Sequence, residues 1–329
     1  MMKRWKKFMI GSICSVILIA GIGYGVLTLC PDATSHITRA AFASGEGYIR
    51  ADSYEANMKK IETVELNYPS IKALHNFELY YPKDKTQSYP IIIWVHGGAF
   101  VGGDLKDTRD FLCMVASEGY VVVNMNYELA PEAVFPSPIL QIDEMSAYLS
   151  TLAAQYPMDT SQVFLGGDSA GANLAGCYVN AVMNDTYASS LSIHTALSKE
   201  QIKGYLSFCG LLDIMAYDET DSWLSNFLFK QSARSYFDTW NWKQSEQAKL
   251  ANFAAYIQDF PPVYLTDGAQ NSFLTQTLRF QQQLDASQIP VTSTLFTQPL
   301  PHEYQFQMEK EEAQTNLQQV LVFLAANHH

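Results

Sequence analysis

The stretch "SQVFLGGDSAGANLAG", residues 161–176, constrains the fold more than any other part of the chain. A short apolar run meets two glycines, one serine, then small helix formers. That is a strand entering a tight turn and leaving as a helix. The same alternation recurs along the chain. "YPIIIWVHGG" and "GYVVVNMNY" are apolar runs ending at turns, and "IKGYLSFCG", "PPVYLTDG" and "IPVTSTLF" are further strands. "ILQIDEMSAYLSTLAAQY", "NSFLTQTLRFQQQLDAS" and "EEAQTNLQQVLVFLAAN" carry helical spacing. Continuous apolar strands separated by helix-length segments predict an α/β fold, with a mostly parallel sheet covered by helices on both faces. One region breaks the rhythm. Residues 213–260 hold many aromatics and no strand-like run, which predicts a helical insertion over the carboxyl ends of the strands.

The 329 residues, 48% hydrophobic and 16% charged, suit a globular chain with a sizeable core. The formal net charge is −12 and no basic stripe is present, so a nucleic-acid partner is not expected. The five cysteines, Cys14, Cys30, Cys113, Cys177 and Cys209, show no CxxC pair or Cys/His cluster. Neither a disulfide framework nor a metal site is expected from them.

The N-terminus reads differently. Lys3, Arg4, Lys6 and Lys7 precede an uncharged run from Phe8 to Pro31. More than 20 such residues can cross ~30 Å of hydrocarbon as a helix. The basic flank should stay in the cytoplasm, leaving the rest of the chain outside the cell membrane. The competing reading is secretion after cleavage of a signal peptide, whose apolar core is normally only ~7–15 residues. The expected organisation is therefore an anchor over residues 1–31 and a tether and covering segment over 32–68, with a possible helix near 51–63. A catalytic domain over 69–329 follows, with its insertion at about 213–260.

Three motifs carry chemistry. In "GGDSAG", Ser169 fits G-x-S-x-G between a strand and a helix. A nucleophile there stands on strained backbone, so small residues must flank it, and the helix N-terminus favours a developing oxyanion. In "HGGAFVGG", glycines after a strand let backbone N–H groups turn inward, and Gly97, Gly98 and Ala99 with Ala170 are the candidate oxyanion donors. His96 is then structural. In "PLPHEYQF", His302 follows the last strand, as the order serine, acid, histidine requires. Trp223 and Phe227 of the insertion are candidate substrate contacts.

With "HGGAF", "GDSAG", "NYELAPEAVFPSPILQIDEMSAYL" and "PHEYQF" in this order, the chain resembles the hormone-sensitive-lipase branch of the α/β-hydrolases over roughly residues 70–325. The resemblance implies the α/β-hydrolase fold, esterase activity on acyl esters, a helical cap, and oxyanion N–H groups from Gly98, Ala99 and Ala170. Glu128 stands where that family often has arginine.

The acid departs from the family. Its usual Gly-x-x-Asp is here Gly268-Ala269-Gln270-Asn271. A neutral amide accepts from the imidazole but does not stabilise the imidazolium, and Asp→Asn in a serine triad costs ~10⁴ in kcat. Asp267 at the strand end is the first candidate, with Asp213 and Asn271 as alternatives, while Asp168 and Asp143 are expected to be structural. The resulting expectation is a membrane-anchored serine hydrolase acting on a small-molecule carboxylic ester, with no cofactor and an open oligomeric state. Two rivals stand beside it: a peptidase or amidase on the same machinery, and a catalytically weak hydrolase fold that binds a ligand.

Overall fold

The glycine-flanked serine turn sits where the sequence places it, between the fifth strand and a helix of a single eight-stranded sheet. The computed structural model describes residues 23, 25–43, 49–296 and 298–328. The strands are β1 (Ile61–Asn67), β2 (Asn76–Pro82), β3 (Tyr89–Val95), β4 (Val121–Met125), β5 (Met158–Asp168), β6 (Ile202–Phe208), β7 (Val263–Asp267) and β8 (Val291–Leu295). Their order is β1-β2-β4-β3-β5-β6-β7-β8. β2 is antiparallel to both β1 and β4, and all other pairs are parallel.

Helices α1 (Pro31–Ala43), α2 (Tyr54–Met58), α3 (Arg109–Ala116), α4 (Ser137–Ala153), α5 (Ser169–Met183) and α6 (Asp185–Ser190) precede β6. Helices α7 (Trp223–Tyr236) and α8 (Glu246–Ala251) lie between β6 and β7, where no strand occurs. Helices α9 (Leu274–Ala286) and α10 (Glu311–Asn327) follow β7 and β8. Apolar residues of α4, α5 and α9 join one core, and those of α2, α3 and α10 join the other. The continuous apolar run of β3 follows from this layering. Ile91, Ile93 and Val95 face the first core while Ile92 and Trp94 face the second, and every residue of the strand is buried. A strand alternates sides, so burial on both faces requires an unbroken apolar run.

The chain runs from β3 to β4 on one side, then crosses back to β5 on the other. The strand order reverses about β3, and clefts open at the carboxyl ends of strands at such a switch.

The N-terminal third corrects the sequence reading in two places. The helix expected near 51–63 is confined to Tyr54–Met58, and residues 61–67 form edge strand β1, so the sheet begins upstream of residue 69. β1 buries little beyond Ile61, which is why its sequence shows no apolar run. Residues 31–43, read as tether, form α1, which packs against α7. Arg39 fastens it to the body. Its Nε and Nη2 donate to the carbonyls of Val101 and Ala130 at 2.6 Å each, and its guanidinium pairs with Glu132 at 2.6 Å. The transmembrane helix expected before Pro31 lies largely outside the described residues. Among the described residues, no helix is long and apolar enough to cross a membrane.

The start of α5 rests directly on the end of β3. A Cβ on Gly171 would lie 2.0 Å from the Val95 carbonyl oxygen and 2.4 Å from that of His96. Backbone cannot retreat from such a clash without moving a central strand. Gly171→Ala should therefore cost at least about 2 kcal/mol, lowering Tm by roughly 4 °C or more in a thermal unfolding scan.

Candidate active site

Every residue of the site hangs from the carboxyl edge of the sheet, on the loops after β3, β5, β6, β7 and β8. Ser169 begins α5 with φ +50°, a left-handed conformation that costs a non-glycine residue about 1–3 kcal/mol and is held by its surroundings. Its carbonyl accepts from the Leu211 N–H at 3.0 Å, and the side chain is nearly buried. His302 Nε2 lies 3.1 Å from Ser169 Oγ. The candidate nucleophile and base picked from sequence thus meet across 133 positions of chain.

The carboxylate behind the histidine is Asp267, the last residue of β7. It is fully buried. No direct bond joins it to the ring. Ser272 Oγ stands between, 2.8 Å from His302 Nδ1 and donating to Asp267 Oδ1. Thr277 Oγ1 donates to Asp267 Oδ2 at 2.7 Å. Sequence reasoning missed both hydroxyls. Neither of the other two acid candidates bonds the ring. Asp213 caps a short turn through the Met215 N–H at 3.0 Å. Asn271 is exposed on left-handed backbone at φ +51° and makes no hydrogen bond to His302.

The acid loop and the histidine loop are stitched together. The Gln270 N–H donates to the Leu300 carbonyl at 2.9 Å, and the His302 N–H to the Gln270 carbonyl at 3.1 Å. This approach explains Gly268, where a Cβ would lie 2.4 Å from the Leu300 carbonyl oxygen. The Phe273 ring meets the His302 ring edge-on at 5.5 Å.

On the other side of Ser169, the loop after β3 turns through left-handed backbone at Gly98 (φ +111°), Ala99 (φ +57°) and Phe100 (φ +64°). The N–H groups of Gly98 and Ala99 have no acceptor among the described residues. Gly97, expected among the oxyanion donors, does not qualify. Its N–H donates to Asp168 Oδ2 at 2.8 Å, so it is already spent on the loop's anchor. Asp168 also accepts from Trp94 Nε1 at 3.0 Å, the structural role expected of it. The Ala170 N–H, in the first turn of α5, has no intrahelical partner by position. His96 is structural too, bonded to Asn126 and stacked on Tyr127. Glu128 pairs with Lys72 at 3.3 Å.

Burial sets the protonation behaviour. It pushes Asp267 above the ordinary carboxylate range, opposed by the Ser272 and Thr277 hydroxyls and by His302. It pushes His302 below the usual histidine value, partly restored by Asp267. Asp168 is raised by burial and by the nearby Glu303 carboxylate, whose Oε1 lies 3.6 Å from His302 Nε2. Cys209, Asp267 and His302 bring potential metal-ligand atoms within 4.8 Å of one another. Burial and the neighbouring Asp267 carboxylate raise the Cys209 thiol, however, outweighing the hydrogen bonds its sulfur accepts from the Glu303 N–H and Gln305 Nε2, so it does not present a thiolate to a metal.

The site opens on a cavity of about 800 Å³. α7 contributes Ser225, Leu228 and Phe229, spaced to share one helical face, and α1 contributes Thr38, Ala41 and Phe42. Trp223 and Phe227, expected to touch substrate, lie on another face of α7. Trp223 is 80% exposed and neither lines the cavity. Tyr236, Phe237 and Trp242 of the insertion make a core instead. Tyr236 stacks on Phe100 at 4.1 Å, and Phe237 stacks on Trp242.

A serine on a strand–helix elbow, a histidine after the last strand and a glycine loop of free N–H groups define an α/β-hydrolase. The chain matches the BD-FAE family over residues 77–284, more than half its length, and belongs to that family. It is similar to an acetyl esterase of Salmonella schwarzengrund, 34% identical over 99 residues, covering 30% of each chain. It is also similar to an alpha/beta hydrolase of Acanthamoeba polyphaga mimivirus, 29% identical over 128 residues, covering 39% of this chain and 36% of the other. These matches span about a third of the relatives' length. Among solved structures it resembles esterase B from Lactobacillus rhamnosis, with TM-score 0.72 at 22% identity, covering 90% of this chain and 96% of that one. It also resembles an esterase from the bacterial hormone-sensitive lipase family, with TM-score 0.61 at 20% identity, covering 90% and 97%. At such identities the likeness speaks for the fold.

The depressed basicity of His302 is directly measurable. In an NMR titration its ring protons should shift with a midpoint below about 6.5, the ordinary histidine value. A midpoint at or above that value would contradict the burial argument.

Proposed function

We propose that the chain is a serine carboxylesterase. One observation carries the reading: Ser169, strained at φ +50°, has His302 Nε2 3.1 Å from its hydroxyl and faces a cavity edged by the unpartnered N–H groups of Gly98 and Ala99. Ser169 Oγ attacks the ester carbonyl as His302 Nε2 takes its proton. The N–H groups of Gly98, Ala99 and Ala170 hold the oxyanion. Collapse expels the alcohol, protonated by His302, and water activated by the same ring releases the acid. The buried Asp267 carboxylate stabilises the imidazolium in each half-reaction.

The cavity, at about 800 Å³, is within the size range of small-molecule sites. Phe42, Phe111, Phe229 and Phe306 give it apolar walls suited to a short or medium acyl or aryl ester. The acetyl esterase among its relatives points the same way. A fluorophosphonate should label the wild-type protein and not Ser169→Ala, and that substitution should reduce turnover of a p-nitrophenyl ester by at least about 10³-fold. An unlabelled wild type, or an active alanine variant, would sink the reading.

We also place the enzyme on a membrane, with its catalytic domain outside the cytoplasm. The support is sequence: four cations in the first seven residues, then an uncharged run. Gln231 Nε2 reaches the Thr28 carbonyl at 3.4 Å, so the chain from about residue 28 belongs to the cap. The apolar stretch left for a bilayer is residues 8–27, about 30 Å long as a helix, enough to span. The full chain should stay in membranes washed with carbonate, and deleting residues 2–24 should release it. A full chain found in the soluble fraction would refute the anchor.

A further inference from the structure

The histidine and its acid do not touch, and the group between them is a single hydroxyl. Ser272 Oγ is 2.8 Å from His302 Nδ1 and donates to Asp267 Oδ1. A serine hydroxyl has one proton to give, and an ionised carboxylate has none. With that proton committed to Asp267, only a lone pair of Ser272 faces the ring. Nδ1 must therefore carry the N–H, leaving Nε2 bare toward Ser169 Oγ, as a general base requires.

The surroundings hold this arrangement in place. Asp267 cannot swing toward the ring, because Thr277 Oγ1 grips its second oxygen at 2.7 Å and the side chain is fully buried. Ser272 lies in the loop tied to the His302 loop by the two backbone bonds at Gln270, and the next residue, Phe273, meets the imidazole edge-on. Asn271, one residue earlier, lines the cavity on left-handed backbone, and the place beside Nδ1 is taken by Ser272.

We propose that Ser272 is the positioning residue of this site, transmitting the hold of the buried Asp267 carboxylate onto His302 through one hydroxyl and fixing the ring's tautomer. The proposal rests on the esterase reading above. When Ser169 is deprotonated, its proton goes to Nε2 and the Nδ1 proton stays where it is. The Ser272 proton stays between serine and carboxylate, so the hydroxyl conducts no net proton and only orients and polarises. The arrangement also separates the carboxylate from the imidazolium by a further atom, which makes the hydroxyl indispensable to the coupling.

The experiment compares Ser272→Thr with Ser272→Val, which are nearly equal in volume and differ by the hydroxyl, alongside Asp267→Asn and the Ser272→Val/Asp267→Asn double variant. Thermal unfolding checks that the threonine and valine proteins fold alike. We expect the valine variant to lose roughly 30- to 300-fold in kcat with KM within about 3-fold, and the threonine variant to stay within about 5-fold of wild type. The double variant should be no worse than Asp267→Asn alone by more than about 3-fold, because the two groups act as one unit. Equal activities of the threonine and valine variants in an active, fluorophosphonate-labelled wild-type background would overturn the role of Ser272 alone. So would losses that multiply in the double variant. A wild type that neither turns over esters nor takes the label would overturn the esterase reading and this proposal with it.

Discussion

The structure depends on how closely α5 can approach β3. Gly171 brings the first turn of the helix onto the carbonyls of Val95 and His96, where any side chain would collide. That contact sets the angle of the elbow, and the elbow sets the strained φ of Ser169. The same junction is pinned from the other side by Asp168. Its carboxylate takes the Trp94 indole N–H and the Gly97 N–H, tying the end of β5 to β3 and to the glycine loop. Ser169 and the proposed oxyanion donors are therefore positioned by one rigid seam between adjacent parallel strands, and a shift of that seam would move both.

The second half of the site is built on the far strands by different means. No tight helix–strand contact places His302. Backbone bonds between the β7 and β8 loops do so, and Gly268 permits them. Behind the ring, the buried charge of Asp267 is satisfied by two hydroxyls rather than by the imidazole itself. Burying a carboxylate is costly unless its oxygens are hydrogen-bonded, and Ser272 and Thr277 meet that requirement. The acid is thus held by its own loop and helix, independently of whether the histidine is present.

The cavity above these groups is walled by elements distant in sequence. α7 comes from the insertion and α1 from the N-terminus, and Arg39 fixes α1 to the backbone of Val101 and Ala130. Since Val101 and Ala130 flank Phe100, α1 is coupled to the loop that carries the proposed oxyanion donors. A segment that reads as a polar tether is in fact one wall of the cavity.

Much of this molecule was legible in its sequence. β3 to β8 show as apolar runs or strand-like stretches because most are covered on both faces, and the glycines announce their turns where no other residue fits. Ser169 and His302 were legible for a similar reason: their place is fixed by local geometry and chain order. Elements with weak local signals were not. β1 is an edge strand that buries few residues, and α1 has a polar sequence whose helix is stabilised by packing against α7. Within the site, Trp223 and Phe227 were plausible by composition, but helical phase turned Ser225, Leu228 and Phe229 to the cavity instead. Gly97 was plausible by motif, but Asp168 had claimed its N–H. The chain by itself determined the layered α/β sheet and the serine–histidine pair, because these follow from periodicity and from backbone sterics that act over a few residues. Only the tertiary structure decided which carboxylate stands behind the histidine and that a hydroxyl stands between them, because hydrogen bonds across 30 positions depend on how two loops meet and not on what either loop reads alone.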